Sequence, residues 1–295
     1  MNRWHIVTSG QLSRNKFWGE DEYGSHHPVL ATSTVIQSDV GNILVDPSME
    51  AEVMQKAVYD ACGLKPEEIN MIYSTHFHND HWMGVEGFPN AEFYMAKDDL
   101  ESLRTLRDCV SEETAKVLDR ARPADGELAE GFRLIPLPGH TKGLQGLLFQ
   151  GPEGNILICG DAVMGYEYFQ AMQGYFYSYS PEQCAEPIKR AGEIADIIIP
   201  GHGNYFTVKA YPFKERTEEA PDLTYSRIPQ NGRYSVETTI GEILDRPDGR
   251  ELFDRYFAEE LSLMTLKMSA YLPIRVLAKS LGLSAEKLER FVMIL

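Results

Sequence analysis

The sequence predicts a mixed α/β domain over residues 1–212, a linker over 213–235 and a small helical module over 236–295. Three observations predict it. Short β-like apolar runs alternate with helical stretches up to about residue 210. Histidine and aspartate side chains stand just past the ends of several of those runs, where loops gather along a sheet edge. After Pro212 the texture turns polar, with Pro221 and Pro229, and from Thr239 onward only a helical period remains.

Residues 34–38 and 42–45 read as a strand pair turning at Asp39-Val40-Gly41. Residues 51–62 carry a helical pattern that Gly63 terminates. Residues 70–74 read as a buried strand and 84–89 as a loop. Residues 96–106 and 112–120 read as helices, and 132–136, 145–150 and 155–159 as strands. A helix over 181–195 has Ser180 as its N-cap and Pro181 as its first residue, and Pro187 inside it predicts a kink or a break. Residues 196–199 form the last strand. In the tail, Ile240, Ile243 and Leu244 share one helical face, and Leu252, Tyr256 and Phe257 share another. Residues 273–280 read as a helix ending near Gly282. Residues 284–293 read as a helix capped by Ser284, with Leu288, Phe291 and Val292 on one side. Gly41-Asn42-Ile43-Leu44-Val45-Asp46 echoes Gly154-Asn155-Ile156-Leu157-Ile158, with Asp161 a little beyond. The echo reads either as a duplicated β-rich half or as two strands that each need a tight turn.

Composition excludes several classes. The chain has 295 residues, 43% of them hydrophobic, which makes it globular. Residues 1–11 lack the apolar core of a signal peptide, and no run approaches the ~18 apolar residues of a membrane span. The expectation is a soluble cytoplasmic protein. The net charge of −16 repels phosphate backbones, so nucleic acid is a poor partner and a small-molecule substrate is expected. A homo-oligomer stays open. Cys62, Cys109, Cys159 and Cys184 are scattered and read as reduced core thiols. The acidic stretch 125–130 reads as a solvated face.

Five of the eight histidines fall in three tight motifs. Thr75-His76-Phe77-His78-Asn79-Asp80-His81-Trp82 directly follows a predicted strand. Its four ligand-type side chains in six residues have no packing explanation. In an extended segment His76 and His78 point the same way, and a turn after them swings Asp80 and His81 to a second, neighbouring point. Pro138-Gly139-His140-Thr141 and Pro200-Gly201-His202-Gly203 each place a histidine after an apolar run, and Cys159-Gly160-Asp161 ends a strand with a carboxylate. Imidazole and carboxylate together suit zinc, and also iron or manganese.

These motifs resemble those of the metallo-β-lactamase superfamily, in order and over about residues 1–210. The resemblance implies a four-layered αββα sandwich with two metal ions at one rim of its sheets. It implies that His76, His78 and His140 hold the first ion, that Asp80, His81 and His202 hold the second, and that Asp161 bridges both. Val45-Asp46-Pro47-Ser48 resembles the family's early strand-end motif, in which Asp46 orients ligands rather than binding metal. Asp161 and His81 together disfavour antibiotic hydrolysis. His78, in a position where the flavodiiron branch has glutamate, disfavours oxygen chemistry. The remaining look-alikes are lactonases, thioesterases of the glyoxalase II type and small-molecule phosphodiesterases. His140-Thr141-Lys142-Gly143-Leu144-Gln145 resembles the lactonase-like loop. The tail resembles a small helical module appended to various bacterial enzymes, with no chemistry attached to it.

The expected activity is hydrolysis of a small ester, lactone or thioester by a hydroxide bridging two divalent ions ~3.5–4 Å apart, zinc first and iron or manganese as alternatives. Asp80 is the candidate proton shuttle to the leaving group. The alternatives are a small-molecule phosphodiesterase, for which Lys142 is the one cation close to a ligand motif, and an iron-dependent redox enzyme of the same fold. Seven aromatic residues lie between Val163 and Tyr179 and read either as a mobile wall of the pocket or as packing against the C-terminal module. Tyr166, Tyr168 and Tyr175 are the substrate-side candidates there, with Trp82 beside His81. His5 reads as structural, and His26-His27 as a solvated loop.

Overall fold

A computed structural model describes residues 2–20, 27–105, 112–208, 234–236, 238–257, 261–270 and 272–295. Most of the expected linker, together with Cys109 and His26, lies outside them. The chain divides into two compact units. The first takes Met1–Leu12, Leu30–Thr105 and Arg120–Leu223. The second takes Ser13–Val29, Leu106–Asp119 and Thr224–Leu295. The second unit thus draws two stretches from inside the span 1–212.

The first unit is a mixed α/β sandwich of two six-stranded sheets. One sheet runs in the order β1 (Arg3–Thr8), β2 (Ser33–Ser38), β3 (Gly41–Val45), β4 (Met71–Ser74), β5 (Glu92–Ala96), β6 (Ala121–Ala124). The other runs β7 (Glu127–Ala129), β8 (Phe132–Pro136), β9 (Gln145–Gly151), β10 (Gly154–Gly160), β11 (Ile197–Pro200), β12 (Phe206–Thr207). Strands with both faces buried read as unbroken apolar runs, because alternate side chains serve different layers. Ile43 and Val45 of β3 meet Ile156 and Ile158 of β10 and Ile197 and Ile199 of β11 between the sheets. Leu157 and Cys159 of β10 and Ile198 of β11 turn outward, onto Ile188 and Ala191 of a covering helix.

That helix is α5 (Ala185–Ile194). The other helices of the unit are α1 (Ala51–Cys62), α2 (Lys97–Thr105) and α4 (Tyr166–Ala171). Helix α1 ends on Gly63 in the left-handed region, whose N–H reaches Tyr59 O. The helix expected over 181–195 is broken. A 3-10 turn occupies Pro181–Gln183, and α5 starts after Cys184 with Pro187 in its first turn, where a missing N–H costs nothing. The aromatic stretch after Asp161 begins as α4, which the sequence reading did not anticipate. The loop expected over 84–89 is largely a 3-10 turn, Met83–Gly87. Strands β1, β5 and β6 were not anticipated either. Polar residues interrupt β1 and β5, and β6 carries Pro123, which an edge strand tolerates. The acidic stretch 125–130 contains β7, which pairs with β8 at the other sheet's edge.

The two sheets follow one path. Hairpin β2–β3 leads through α1 to β4, parallel to β3, and hairpin β9–β10 leads through α4 and α5 to β11, parallel to β10. Asp46 follows the first hairpin and Asp161 the second. The sequence echo therefore coincides with a repeated topology, and it brings the ends of β3, β4, β10 and β11 to one rim.

The second unit is helical: α3 (Glu112–Leu118), α6 (Ile240–Leu244), α7 (Gly249–Phe257), α8 (Leu263–Met268), α9 (Ile274–Ser280) and α10 (Ala285–Ile294). Thr239 and Glu242 form a reciprocal capping box on α6, and Ser284 caps α10 by accepting from Lys287 N. Phe253, Phe257 and Phe291 pack as its aromatic core. His27 lies in this unit, 2.5 Å from Glu20. Among the described residues, no helix is long and apolar enough to cross a membrane.

Gly160 shows how closely the strand ends approach. Its φ is +50°, and a Cβ there would run into the Thr75 hydroxyl and its Cβ. Gly160→Ala is expected to cost about 2 kcal/mol or more from the left-handed backbone and the clash. The thermal midpoint should fall by roughly 4–8 °C in calorimetry.

Candidate metal centre

Asp46 organises the rim. It is buried and holds φ +50°, a conformation that costs a non-glycine residue free energy. Its surroundings over-determine it. Its N–H donates to Tyr73 O at 3.0 Å, and its carbonyl accepts from Ser33 Oγ at 2.5 Å. Its carboxylate accepts from Thr75 N at 2.8 Å and from Thr75 Oγ1 at 2.9 Å. The same Oδ2 lies 2.9 Å from His81 Nδ1, at an angle too oblique for a full hydrogen bond.

These contacts fix imidazole tautomers. The Thr75 hydroxyl gives its proton to Asp46, so it accepts from His76 Nδ1 at 3.2 Å and leaves His76 Nε2 bare. His202 Nδ1 donates to Leu30 O at 2.6 Å, which leaves its Nε2 bare as well. His140 Nδ1 faces Ser178 Oγ at 3.2 Å. The outer nitrogens of His76 and His202 are thereby occupied by protein oxygens, and their Nε2 atoms turn inward.

The seven motif residues come together in two neighbouring groups. His76, His78, His140 and Asp161 form one, and Asp80, His81 and His202 the other, with ligand atoms in each within 4.8 Å of one another. In the first, His78 Nδ1 lies 3.1 Å from His76 Nε2 and 2.9 Å from His140 Nε2. Asp161 Oδ2 lies 3.1 Å from His140 Nε2 and 3.8 Å from His76 Nε2. Its other oxygen, Oδ1, lies 3.2 Å from His81 Nε2 and 3.3 Å from His202 Nε2 in the second group. Asp80 Oδ2 stands 3.7 Å from His81 Nε2 and 3.9 Å from His202 Nε2.

Electrostatics separates the two groups. Burial, then the neighbouring His81, pushes His76 well below the ordinary histidine range. Burial and the adjacent His140 bring His78 down to about 4. Burial also opposes charge on His81 and His202, but Asp161 outweighs it with help from the other carboxylates, and both are raised. Burial likewise opposes charge on Asp161, and the imidazoles of His202, His81, His140 and His76 overcome it, holding the carboxyl well below its usual value.

The donor set fits divalent metal. His81 Nε2 and Asp161 Oδ1 are buried and face each other at 3.2 Å without a well-formed hydrogen bond to any described residue. Orphaned buried atoms cost about 1–3 kcal/mol each unless something takes them, and a cation between them does. Imidazoles whose bare nitrogens converge within about 3 Å need the same partner. Close backbone approach permits the arrangement: a Cβ on Gly201 would collide with Asp161 Oδ1.

Sequence reasoning missed Asp99. It is fully buried on α2 and accepts from Phe77 N at 3.2 Å, Thr141 Oγ1 at 2.7 Å and Gly143 N at 2.8 Å. It thus ties the loop carrying His78 to the loop carrying His140. Burial raises its carboxyl above the usual range, tempered by those three donors. In sequence, Asp98-Asp99 looks like ordinary acidic dressing of a helix start, so nothing marks it out.

A cavity of about 470 Å³ opens beside His78 and His140, lined also by Phe77, Lys142, Phe176, Tyr177 and Tyr179. Tyr166, Tyr168, Tyr175 and Trp82 are not among its lining residues. Tyr168 and Tyr175 are buried with Leu12 and Met164, and Tyr166 packs against Phe206. The Trp82 indole donates to Phe77 O at 2.8 Å, bracing the ligand loop from within. The aromatic stretch does reach the cavity, through its last residues rather than its first. His5 lies away from the rim on β1, 3.2 Å from Gln37 Oε1.

The family model described as Metallo-beta-lactamase superfamily matches residues 28–202. The N-acyl homoserine lactonase AiiA of Bacillus thuringiensis subsp. kurstaki is 25% identical over 219 residues, covering 66% of this chain and 84% of that protein. A hydroxyacylglutathione hydrolase of Pseudomonas putida is 25% identical over 178 residues, covering 58% and 63%. A crystal structure of a mutant B. thuringiensis AiiA, with N-decanoyl-L-homoserine at its active site, superposes with a TM-score of 0.51 at 21% identity, covering 68% of this chain and 92% of that one. That likeness establishes the fold.

Two outcomes follow for the centre. Stripping metal with a chelator should lower the thermal midpoint and re-addition restore it, by about 4 kcal/mol at a metal concentration 1,000-fold above Kd. Asp46→Asn, which weakens the hold on Thr75 and His81, should reduce metal affinity roughly 10–100-fold in competitive chelator titrations.

Proposed function

The chain belongs to the metallo-beta-lactamase superfamily, and from that premise we propose that it is a two-metal hydrolase of a small ester, lactone or thioester. That it is a metal-dependent hydrolase follows from its family and relatives. The observation that carries the two-metal reading is the division of Asp161, with one oxygen turned to each histidine group. His76, His78 and His140 would hold one ion, and Asp80, His81 and His202 the other. Zinc is the metal that the imidazole-rich set favours. Such ions supply Lewis acidity toward a carbonyl and water that loses a proton near neutral pH.

The chain's own groups do the rest. Asp80 presents Oδ2 to His81 and His202 and keeps its other oxygen to pass a proton to the departing oxygen or sulfur. Asp46 and Asp99 hold the ligand loops in register, so that the lone pairs are aimed before substrate arrives. The cavity on the His78–His140 side receives the non-reacting part of the substrate. Relatives named as lactonases and as a hydroxyacylglutathione hydrolase support an acyl-transfer reaction to water.

The test is metal content by plasma mass spectrometry, with parallel assays on lactone, thioester and phosphodiester chromogens. Two zinc ions per chain and turnover of a lactone or thioester are expected. Asp161→Ala should lose metal stoichiometry and at least roughly 100-fold of the activity together. Full activity in that variant would sink the two-metal reading, and iron with no hydrolysis would move the protein to redox chemistry.

A further inference from the structure

The cavity beside the metal centre has an unusual charge pattern for this chain. The protein carries a net charge of −16, yet among the described residues no aspartate or glutamate lines the cavity. Its walls are the rings of Phe77, Phe176, Tyr177 and Tyr179, with the hydroxyls of Ser102, Thr141 and Ser178 between them. The Tyr177 ring lies 6.2 Å from that of His78, so the aromatic surface begins next to a ligand. Apart from the imidazoles, Lys142 is the one cation among the described lining residues.

Lys142 is exposed and lies over an aromatic ring. Its ammonium sits 4.7 Å from the centroid of the Tyr179 ring, a cation–π distance. It has no carboxylate within ion-pair distance among the described residues, whereas Lys56, Lys97 and Lys116 each lie near one on their own helix. The backbone on both sides of it is fixed by Asp99, through Thr141 Oγ1 and Gly143 N. Its aromatic platform is fixed to the same loop, because Tyr179 N donates to His140 O at 2.9 Å and Ser180 N donates to Gly139 O at 2.9 Å. The backbone that carries the cation, its aromatic platform and His140 is therefore braced together.

We propose that this cavity selects substrates with a flat apolar acyl body and a carboxylate at its far end, the rings of Phe77, Phe176, Tyr177 and Tyr179 holding the body and Lys142 receiving the carboxylate. The inference rests on the hydrolase reading above and deepens it by naming the substrate class. A neutral substrate of the same shape gains the aromatic contacts but leaves the ammonium unanswered. An anionic one is also the substrate for which a negatively charged protein needs a dedicated cation, since its remaining surface repels it.

The experiment uses the full metal-loaded chain and a matched pair of chromogenic esters, mono-4-nitrophenyl terephthalate and its terephthalamate. They differ only in a terminal carboxylate against a carboxamide, and homologous pairs one and two methylenes longer vary the reach. The carboxylate member of at least one pair should be preferred about tenfold or more in kcat/KM at low salt, and the preference should shrink as salt rises. Lys142→Gln should bring the ratio between the pair to about one, and Lys142→Glu should invert it. In parallel, calorimetry compares binding of terephthalate and 4-carbamoylbenzoate, which needs no turnover. If no ester is cleaved but terephthalate binds about tenfold tighter in a Lys142-dependent way, the hydrolase reading fails and the carboxylate subsite stands. If the esters are cleaved without preference and the two acids bind alike, the subsite is overturned and the hydrolase reading stands. A preference that survives Lys142→Gln also overturns it.

Discussion

The buried carboxylate of Asp46 is the interaction on which the rest of the rim depends. It sits at the end of β3 in a strained backbone conformation and reaches across to the end of β4. Through the Thr75 hydroxyl it sets the proton position on His76, and by direct contact it stands behind His81. Those two residues belong to different ligand groups. One anion therefore coordinates the orientation of both halves of the centre. Its own burial is tolerable because every contact it makes is to a donor or a basic nitrogen.

The fold makes that possible by repetition. Two hairpins, each continuing through helices to a parallel strand, lay their carboxyl-terminal ends along one rim. Asp46 and Asp161 occupy comparable places and do different work. Asp46 faces protein donors and is saturated by them. Asp161 faces bare imidazole nitrogens and keeps an oxygen without a hydrogen bond. The same residue type at the same topological point is a brace in one sheet and a candidate ligand in the other, because the neighbours differ.

The cavity wall is coupled to the histidine loops by short links. Ser178 touches His140, Tyr179 pairs with its carbonyl, and Asp99 clamps the two ligand loops together. The wall of the cavity is thus tied to the loops that carry His78 and His140.

Much of this was legible in the sequence by itself. Short apolar runs marked β2, β3, β4, β8, β9, β10 and β11, and α1 was delimited to the residue by its periodicity and Gly63. The seven ligand-type residues stood out because four of them crowd into six positions and the others follow strands at glycine turns. These are local patterns, and local sterics and side-chain alternation write them into consecutive residues. What only the tertiary structure decided was the set of relations between distant residues. It determined which nitrogens converge on which oxygen of Asp161, that Asp99 staples the loops at 77 and 141–143, and that Tyr177 and Tyr179 line the cavity while Tyr168 and Tyr175 are buried elsewhere. It also decided that stretches 13–29 and 106–119 cluster with the helical tail. Spacing along a chain fixes which way a side chain alternates. It does not fix what that side chain meets after a crossover of dozens of residues, and the chemistry of this site resides in those meetings.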